Sequence, residues 1–204
     1  HNSVDANFNI SPEKTTVLWE YKTNGGQYDT YQDYRPLIVN GNIFQQNPFN
    51  LYSLSAFEGI KHWEHTSKTK ISAKIAFKNN IVYYINQEPE RYLSGINTKT
   101  GKQQLKIPLT SETTSNPIIS GNQLFIIDGD KIKAFNIHSG KLVWEKETLI
   151  SHQKFPVISK NKLVTVEEDK KIKLLNTQNG AEFWTKFLSS PIKFSPMIYK
   201  NMII

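Results

Sequence analysis

Residues 134–144 read Ala134-Phe-Asn-Ile-His-Ser-Gly140-Lys-Leu-Val-Trp144, and the same frame returns along the chain. Gly59-Ile-Lys-His-Trp63 and Gly180-Ala-Glu-Phe-Trp184 keep the glycine and the tryptophan four residues later. Gly101-Lys-Gln-Gln-Leu105 keeps the glycine and places leucine where the others have tryptophan. With Trp19 as the first member, positions 19, 63, 105, 144 and 184 lie 44, 42, 39 and 40 residues apart. A nearly fixed period of this length marks a repeat architecture.

Further columns keep the same phase. Four residues before the glycines stand Ser55, Asn97, Asn136 and Asn176. Such side chains fold onto the backbone two residues on and start a tight turn, and the glycine supplies a positive φ at its far end. Six before the glycines come Ser53, Gly95, Ala134 and Leu174, mostly small. Twelve after the later aromatic column come Ile75, Pro117, Pro156 and Pro196. Pro36 follows Trp19 by seventeen, so the first copy carries a five-residue insertion. Two apolar runs around an Asn/Gly turn then follow, as in Pro117-Ile-Ile-Ser-Gly-Asn-Gln-Leu-Phe125, and read as an antiparallel hairpin.

Period-two alternation excludes a helical solenoid. Four short strands per repeat of this length make the blade of a β-propeller. The expectation is therefore an all-β chain, one propeller segment over 1–204, with blades at about 36–67, 74–108, 117–148 and 156–188. Residues 16–22 are expected to form an orphan outer strand, and 196–204 to begin a fifth blade and stop at its second strand. The propeller is incomplete: about four blades plus partial strands at both ends.

Composition bounds the chemistry. The 204 residues are 38% hydrophobic and 12% aromatic, a globular balance. The absence of cysteine excludes disulfides, thiolate metal sites and a cysteine nucleophile. No apolar run approaches the ~20 residues of a membrane-spanning helix. The formal charge is +7, but only Arg35 and Arg91 are arginine among 25 basic residues. Base and phosphate recognition favours the arginine fork, so no nucleic-acid partner is expected. The chain starts at His1, which reads as processing or excision. The compartment stays open; a signal upstream would favour a periplasmic, outer-membrane-associated or extracellular place.

At the Asn-x-x-x-Gly-x-x-x-Trp columns the sequence resembles the pyrroloquinoline-quinone (PQQ)-like propeller repeat, whose blades carry a consensus near Ala-Leu-Asp-Ala-x-Thr-Gly-Lys-x-x-Trp. Residues 134–144 are the closest copy, and Gly95-Ile-Asn-Thr-Lys-Thr-Gly101-Lys is next. Ser53-Leu-Ser-Ala-Phe-Glu-Gly59 departs most in its turn, and Leu105 departs at the tryptophan. No Trp-Asp dipeptide occurs, which argues against the WD-type repeat. The resemblance implies that each tryptophan packs between adjacent blades. Trp19, Trp63, Trp144, Trp184, Gly59, Gly101, Gly140 and Gly180 are then blade-docking residues. Leu105 is expected to mark the weakest contact, and Leu105→Trp to be tolerated or mildly stabilising.

PQQ enzymes of this family hold quinone and Ca²⁺ across the propeller centre, use an acidic base there, and often have a disulfide of adjacent cysteines. Here the acids Glu58, Asp128, Asp130, Glu167, Glu168 and Asp169 fall at turns and read as solvated. His62 and His65 flank Trp63 at a spacing that suits no metal pair. No Gly-x-Ser-x-Gly elbow or glycine-rich phosphate loop occurs. The expectation is no catalytic residue, no cofactor and no metal. The functional lead is the insertion Asn24–Arg35, where Tyr28, Tyr31, Tyr34 and Arg35 supply the residue types that anchor interfaces; packing over the first blade is its plainer reading. The function expected is a non-catalytic scaffold for a protein partner in the bacterial envelope, of outer-membrane-assembly or sensor type. A segment of a PQQ-dependent dehydrogenase and a carbohydrate-binding surface module are the alternatives.

Overall fold

The computed structural model describes residues 17–22, 34–72, 74–87, 89–111, 116–150, 155–199 and 202–204. Four antiparallel sheets follow one another, each of four strands in chain order. The first holds β1 (Leu37–Val39), β2 (Asn42–Gln46), β3 (Asn50–Ser55) and β4 (Lys61–Thr66). The second holds β5 (Ala76–Lys78), β6 (Ile81–Asn86), β7 (Tyr92–Asn97) and β8 (Gln103–Pro108). The third holds β9 (Ile118–Ser120), β10 (Gln123–Asp128), β11 (Lys131–Asn136) and β12 (Leu142–Glu147). The fourth holds β13 (Val157–Ser159), β14 (Lys162–Glu167), β15 (Lys171–Asn176) and β16 (Glu182–Phe187). A two-stranded hairpin, β17 (Ile198–Tyr199) and β18 (Met202–Ile203), begins a further sheet. The described residues contain no helix.

Turn chemistry sets this order. Between β1 and β2 the chain reverses through Asn40 and Gly41 at φ 50° and 73°, and between β5 and β6 through Asn79 and Asn80 at 51° and 58°. Two successive positive φ values give the tight reversal that matches the strand twist, and asparagine tolerates them better than other side chains. Between β3 and β4 and its three counterparts, Asn97, Asn136 or Asn176 accepts backbone N–H bonds from two residues on, at 2.9, 3.0 and 2.8 Å. In the first blade the Ser55 hydroxyl accepts from the N–H of Glu58, three residues on, at 3.2 Å. A register shift follows in every blade, between Ser53 and Leu54, Gly95 and Ile96, Ala134 and Phe135, Leu174 and Leu175. That bulge turns the outer strand toward the next blade.

The second strands β6, β10 and β14 are buried over most of their length, so apolar residues run on in them, whereas the third strands β11 and β15 open with a Lys-Ile-Lys alternation. Side chains of adjacent blades form three cores, one at each seam. Phe44 and Leu51 meet Val82, Tyr84 and Ile96 at the first seam. Tyr83, Leu93 and Ile107 meet Leu124, Ile126 and Phe135 at the second. Phe125, Ala134 and Trp144 meet Leu163 and Leu175 at the third. Inner strands β5, β9, β13 and β17 are adjacent in turn, as the radial arrangement of a propeller requires.

Residues 17–22 depart from expectation: they form no strand. An outer strand is stabilised by its ladder to a third strand, and no sheet of the described residues offers one to this segment. It is held instead by side chains on the first blade, Trp19 on Gly59 and Tyr21 against Tyr52 with ring centroids 6.0 Å apart. At the other end the seam-forming face of the fourth blade lies open. Phe187 and Phe194 are 70% and 81% exposed, and Tyr199, Met202 and Ile204 are exposed beside them. An apolar face of this kind next to an unpaired edge drives association. Size-exclusion chromatography of the 204-residue polypeptide is therefore expected to show oligomer or aggregate. A sharp monomer peak with cooperative melting would mean that five units close into a ring.

Candidate functional site

The tryptophans are the pins of the seams. The Trp63 ring lies on Gly101 of the next blade, where a Cβ would stand 2.8 Å from Cδ2. Trp144 lies on Gly180 in the same way, with a Cβ at 2.7 Å, and Trp19 on Gly59 at 2.5 Å. Each ring N–H donates to the carbonyl three residues before its glycine: Trp63 to Thr98 at 2.7 Å, Trp144 to Thr177 at 2.8 Å and Trp19 to Ala56 at 3.2 Å. The glycines have φ near +70°, so they serve twice, as the turn's left-handed residue and as a flat seat for an indole. Trp184 has no such seat within the described residues and is 39% exposed.

Leucine at 105 belongs to a three-residue exchange. Across the strands, Phe44–Ser53–Trp63 and Phe125–Ala134–Trp144 are matched by Tyr83–Gly95–Leu105. Leu105 rides on Gly140, whose Cβ would stand 2.6 Å from Cδ1. The Tyr83 hydroxyl reaches to 3.5 Å from the carbonyl of Ile137, the acceptor that an indole uses in the other seams. Gly95 makes room for both, since a Cβ there would stand 2.9 Å from Leu105 and 3.2 Å from Tyr83. Burial pushes the Tyr83 phenol up to about 12. This seam carries a nine-residue buried core, so Leu105 does not mark a weak contact, and the expected tolerance of tryptophan there is revised. Leu105→Trp alone is expected to destabilise by about 1–3 kcal/mol through overpacking against Tyr83. Adding Tyr83→Phe and Gly95→Ala, the residues of the tryptophan-bearing blade, is expected to recover most of that loss in thermal melts.

A second set of contacts was hidden in the sequence. Asp128 and Glu167, read there as solvated turn acids, are 2% and 1% exposed. With Asn86 they occupy the same place, the end of the second strand in blades two to four, and each grips the connection arriving from the previous blade. Asn86 donates to the hydroxyls of Ser67 and Thr69 at 2.6 and 3.0 Å. Asp128 accepts from the backbone N–H groups of Thr110 and Ser111 at 3.1 and 2.9 Å, from the Thr110 hydroxyl at 2.9 Å, and pairs with Lys133 at 2.6 Å. Glu167 accepts from the Thr148 hydroxyl at 2.8 Å and pairs with Lys171 and Lys173 at 3.0 and 2.8 Å. Burial alone would raise both carboxyls, but the lysines and the hydrogen bonds hold both below the ordinary carboxylate range. The sequence cue was a hydroxyl residue just past each outer strand: Ser67, Thr110, Thr148. Glu58, Asp130, Glu168 and Asp169 are exposed, as turn acids usually are.

Of the insertion, Tyr28 and Tyr31 lie outside the described residues. Tyr34 is half-buried, its carbonyl accepting from the Gln45 side chain at 3.4 Å, and Arg35 is exposed. His65 faces the Gly101 carbonyl at 3.1 Å, and burial lowers its pKa. His62 instead lines a polar cleft of about 580 Å³ between the first two blades, with Asn40, Asn42, Asn80, Thr98 and Lys99. On the inner strands, a cleft of about 490 Å³ is lined by Leu37, Val39, Ile75, Phe77, Pro117 and Ile118.

A family model described as outer membrane protein assembly factor BamB matches residues 47–198. The chain belongs to this PQQ-like repeat family. BamB from Moraxella catarrhalis is similar with a TM-score of 0.69 and 15% identity, over 85% of this chain and 57% of that one. The computationally designed Ika8 protein gives 0.67 and 15%, over 82% and 53%. Quinohemoprotein alcohol dehydrogenase ADHIIG from Pseudomonas putida HK5 gives 0.59 and 14%, over 80% and 35%. These identities show a shared fold alone. The chain spans just over half the length of the first two structures. No curated protein matches it.

The PQQ-like name raises the question of a quinone and Ca²⁺ at the centre. The lining of the inner-strand cleft is aliphatic and aromatic, with Lys78 its one charged residue. Calcium takes six to eight oxygen ligands, and this lining supplies no carboxylate. Among the described residues no three His, Asp or Glu side chains group closely enough to hold a metal. The described residues of this lining therefore do not fit the quinone–calcium pair.

Proposed function

We propose that the chain is a non-catalytic propeller scaffold that docks protein partners in a bacterial envelope, of the outer-membrane-assembly type. The family match over residues 47–198 carries this reading. The use made of the polar side chains supports it. Asn86, Asp128 and Glu167 are spent on holding connections, and the indoles on seams, which leaves the loop ends of a rigid frame for recognition.

The test has two arms. Photo-crosslinking residues placed at Arg35 and other exposed loop positions of the full-length protein, in its own cells, are expected to capture a component of the β-barrel assembly machinery. PQQ with Ca²⁺, added to the purified protein, is expected to leave its melting temperature unchanged. A rise in melting temperature together with dye-linked alcohol oxidation would overturn the scaffold reading in favour of a dehydrogenase. Selective binding on a glycan array without crosslinks would favour a carbohydrate-binding module.

A further inference from the structure

The net charge of +7 is not spread evenly. In each blade the turns between first and second strands and between third and fourth strands emerge at one end, and the turns between second and third strands at the other. The first end gathers Lys78, Lys99, Lys102, Lys141, Lys160 and Lys162, all exposed. Among the described residues, none of these six has a carboxylate partner. Among the described residues, the acids of the turns at this end are Glu58 and Glu182, and Glu182 already faces Lys146 at 3.8 Å. The opposite end also exposes Lys68, Lys170 and Lys193, but there Asp130, Glu168 and Asp169 stand among them. At that end Lys133 pairs with Asp128, and Lys171 and Lys173 with Glu167; along the outer strands Lys131 pairs with Glu145 and Lys106 with Glu90. The molecule is therefore electrically two-sided, with one unbalanced cationic face built from the tips of successive blades.

Phe57 stands on the same face. It lies in the turn Ser55–Gly59, packs beside Gly41 of the neighbouring turn and is 80% exposed, with Ile60 57% exposed next to it. The turn is fixed by the Ser55 hydroxyl accepting from Glu58 and by Gly59 N–H donating to Ser55. An aromatic ring is thus held out toward whatever meets the cations.

We infer that this face docks on an anionic lipid surface, with the lysines against headgroup phosphates and Phe57 entering the interfacial layer. Three observations favour a lipid leaflet over an acidic protein. The cations are all lysine, a hydrated point charge that suits a diffuse phosphate layer, whereas protein interfaces enrich arginine and deplete lysine. They are spread over three blades and not gathered into a pocket, and a surface charge field acts on all of them at once. Cations combined with an exposed apolar side chain are the paired signals that hold a protein at a membrane surface. The inference is independent of the scaffold reading.

Vesicle flotation tests it, because aggregated protein does not float. At about 0.1 M salt, where the screening length is about 10 Å, the protein is expected to float with phosphatidylcholine vesicles containing a quarter phosphatidylglycerol. It is expected to stay below with pure phosphatidylcholine, and to be released as salt rises. Lys99→Glu/Lys102→Glu/Lys141→Glu is expected to lower the floated fraction about tenfold or more, and Phe57→Ser to lower it less. Lys68→Glu/Lys170→Glu/Lys193→Glu, at the other end, is expected to float like the parent with an unchanged far-ultraviolet circular dichroism spectrum. Failure to float with anionic vesicles, for protein that stays in the supernatant of the same buffer after a clearing spin, overturns the inference. So does an equal loss in both triple variants. Retention of the protein on polyglutamate or DNA without flotation would assign the face to an acidic polymer and overturn it as well.

Discussion

Trp144→Ala is expected to destabilise the protein by about 3–5 kcal/mol, read as a shift of the urea midpoint. Trp144 is 9% exposed, lies on Gly180, and meets Phe125 with ring centroids 5.9 Å apart. Its removal opens a cavity at the third seam, lined by Phe125, Leu163 and Leu175, that rigid sheets cannot close. It also leaves the Thr177 carbonyl without the ring N–H that bonds it at 2.8 Å. Trp184 occupies the same place in its blade, has no glycine beneath it among the described residues and is 39% exposed. The matching Trp184→Ala change is expected to cost about 1 kcal/mol in the same experiment. Equal costs would mean that the side chain matters for its own sheet and not for the seam.

Asp128→Ala is expected to cost about 3 kcal/mol in thermal or urea melts, because it leaves partners without a counterpart in a buried place. Lys133 loses its carboxylate partner with little water around it, its side chain being 12% exposed, and the N–H groups of Thr110 and Ser111 lose their acceptor. The connection from the second to the third blade is then free to peel away. The same carboxylates give the protein an acid limb. Asp128 and Glu167 have folded-state values below their ordinary 3.8 and 4.5. A depressed carboxyl contributes stability that is fully present above the unfolded value and is lost as pH falls through the folded one. The melting temperature is therefore expected to decline slightly from about pH 6.5, where the half-buried His65 with its lowered pKa begins to favour the unfolded chain, and to fall steeply below about pH 5. In Asp128→Asn/Glu167→Gln, melting over the same pH series is expected to start lower and to fall less steeply. An acid limb of unchanged slope would place its origin in other groups.

The blades were legible because their cues are local and repeat. A glycine that must take a positive φ, an asparagine that caps the turn before it and an indole four residues later announce themselves in one dimension. What stayed hidden depended on partners distant in sequence. Asp128 looks like any acid of an Asp-Gly-Asp turn until Lys133 and the Thr110–Ser111 backbone are seen to close over it. Leu105 looks like a defect until Tyr83 and Gly95 are seen to have changed with it. The strand expected at 16–22 failed because a tryptophan column marks packing, whereas a strand also needs a neighbour to pair with. The candidate loop was legible as a sequence anomaly only, since the insertion breaks the period that gives every other segment its place. The charge asymmetry was present in the composition, but only the topology shows which turns share an end.

The claim that joins these observations is that one blade's indole sits on the next blade's glycine. A double-mutant cycle of Trp144→Ala with Gly180→Ala measures that contact. Alone, Gly180→Ala carries the left-handed strain of roughly 1–2 kcal/mol, together with a Cβ 2.7 Å from the Trp144 ring. Once the indole is gone, only the strain remains. The double variant is therefore expected to be more stable than the sum of the single changes predicts, by at least about 1 kcal/mol, while Trp144→Ala with Gly101→Ala, at a different seam, is additive. Additivity within about 0.5 kcal/mol for the Trp144–Gly180 pair would contradict the account.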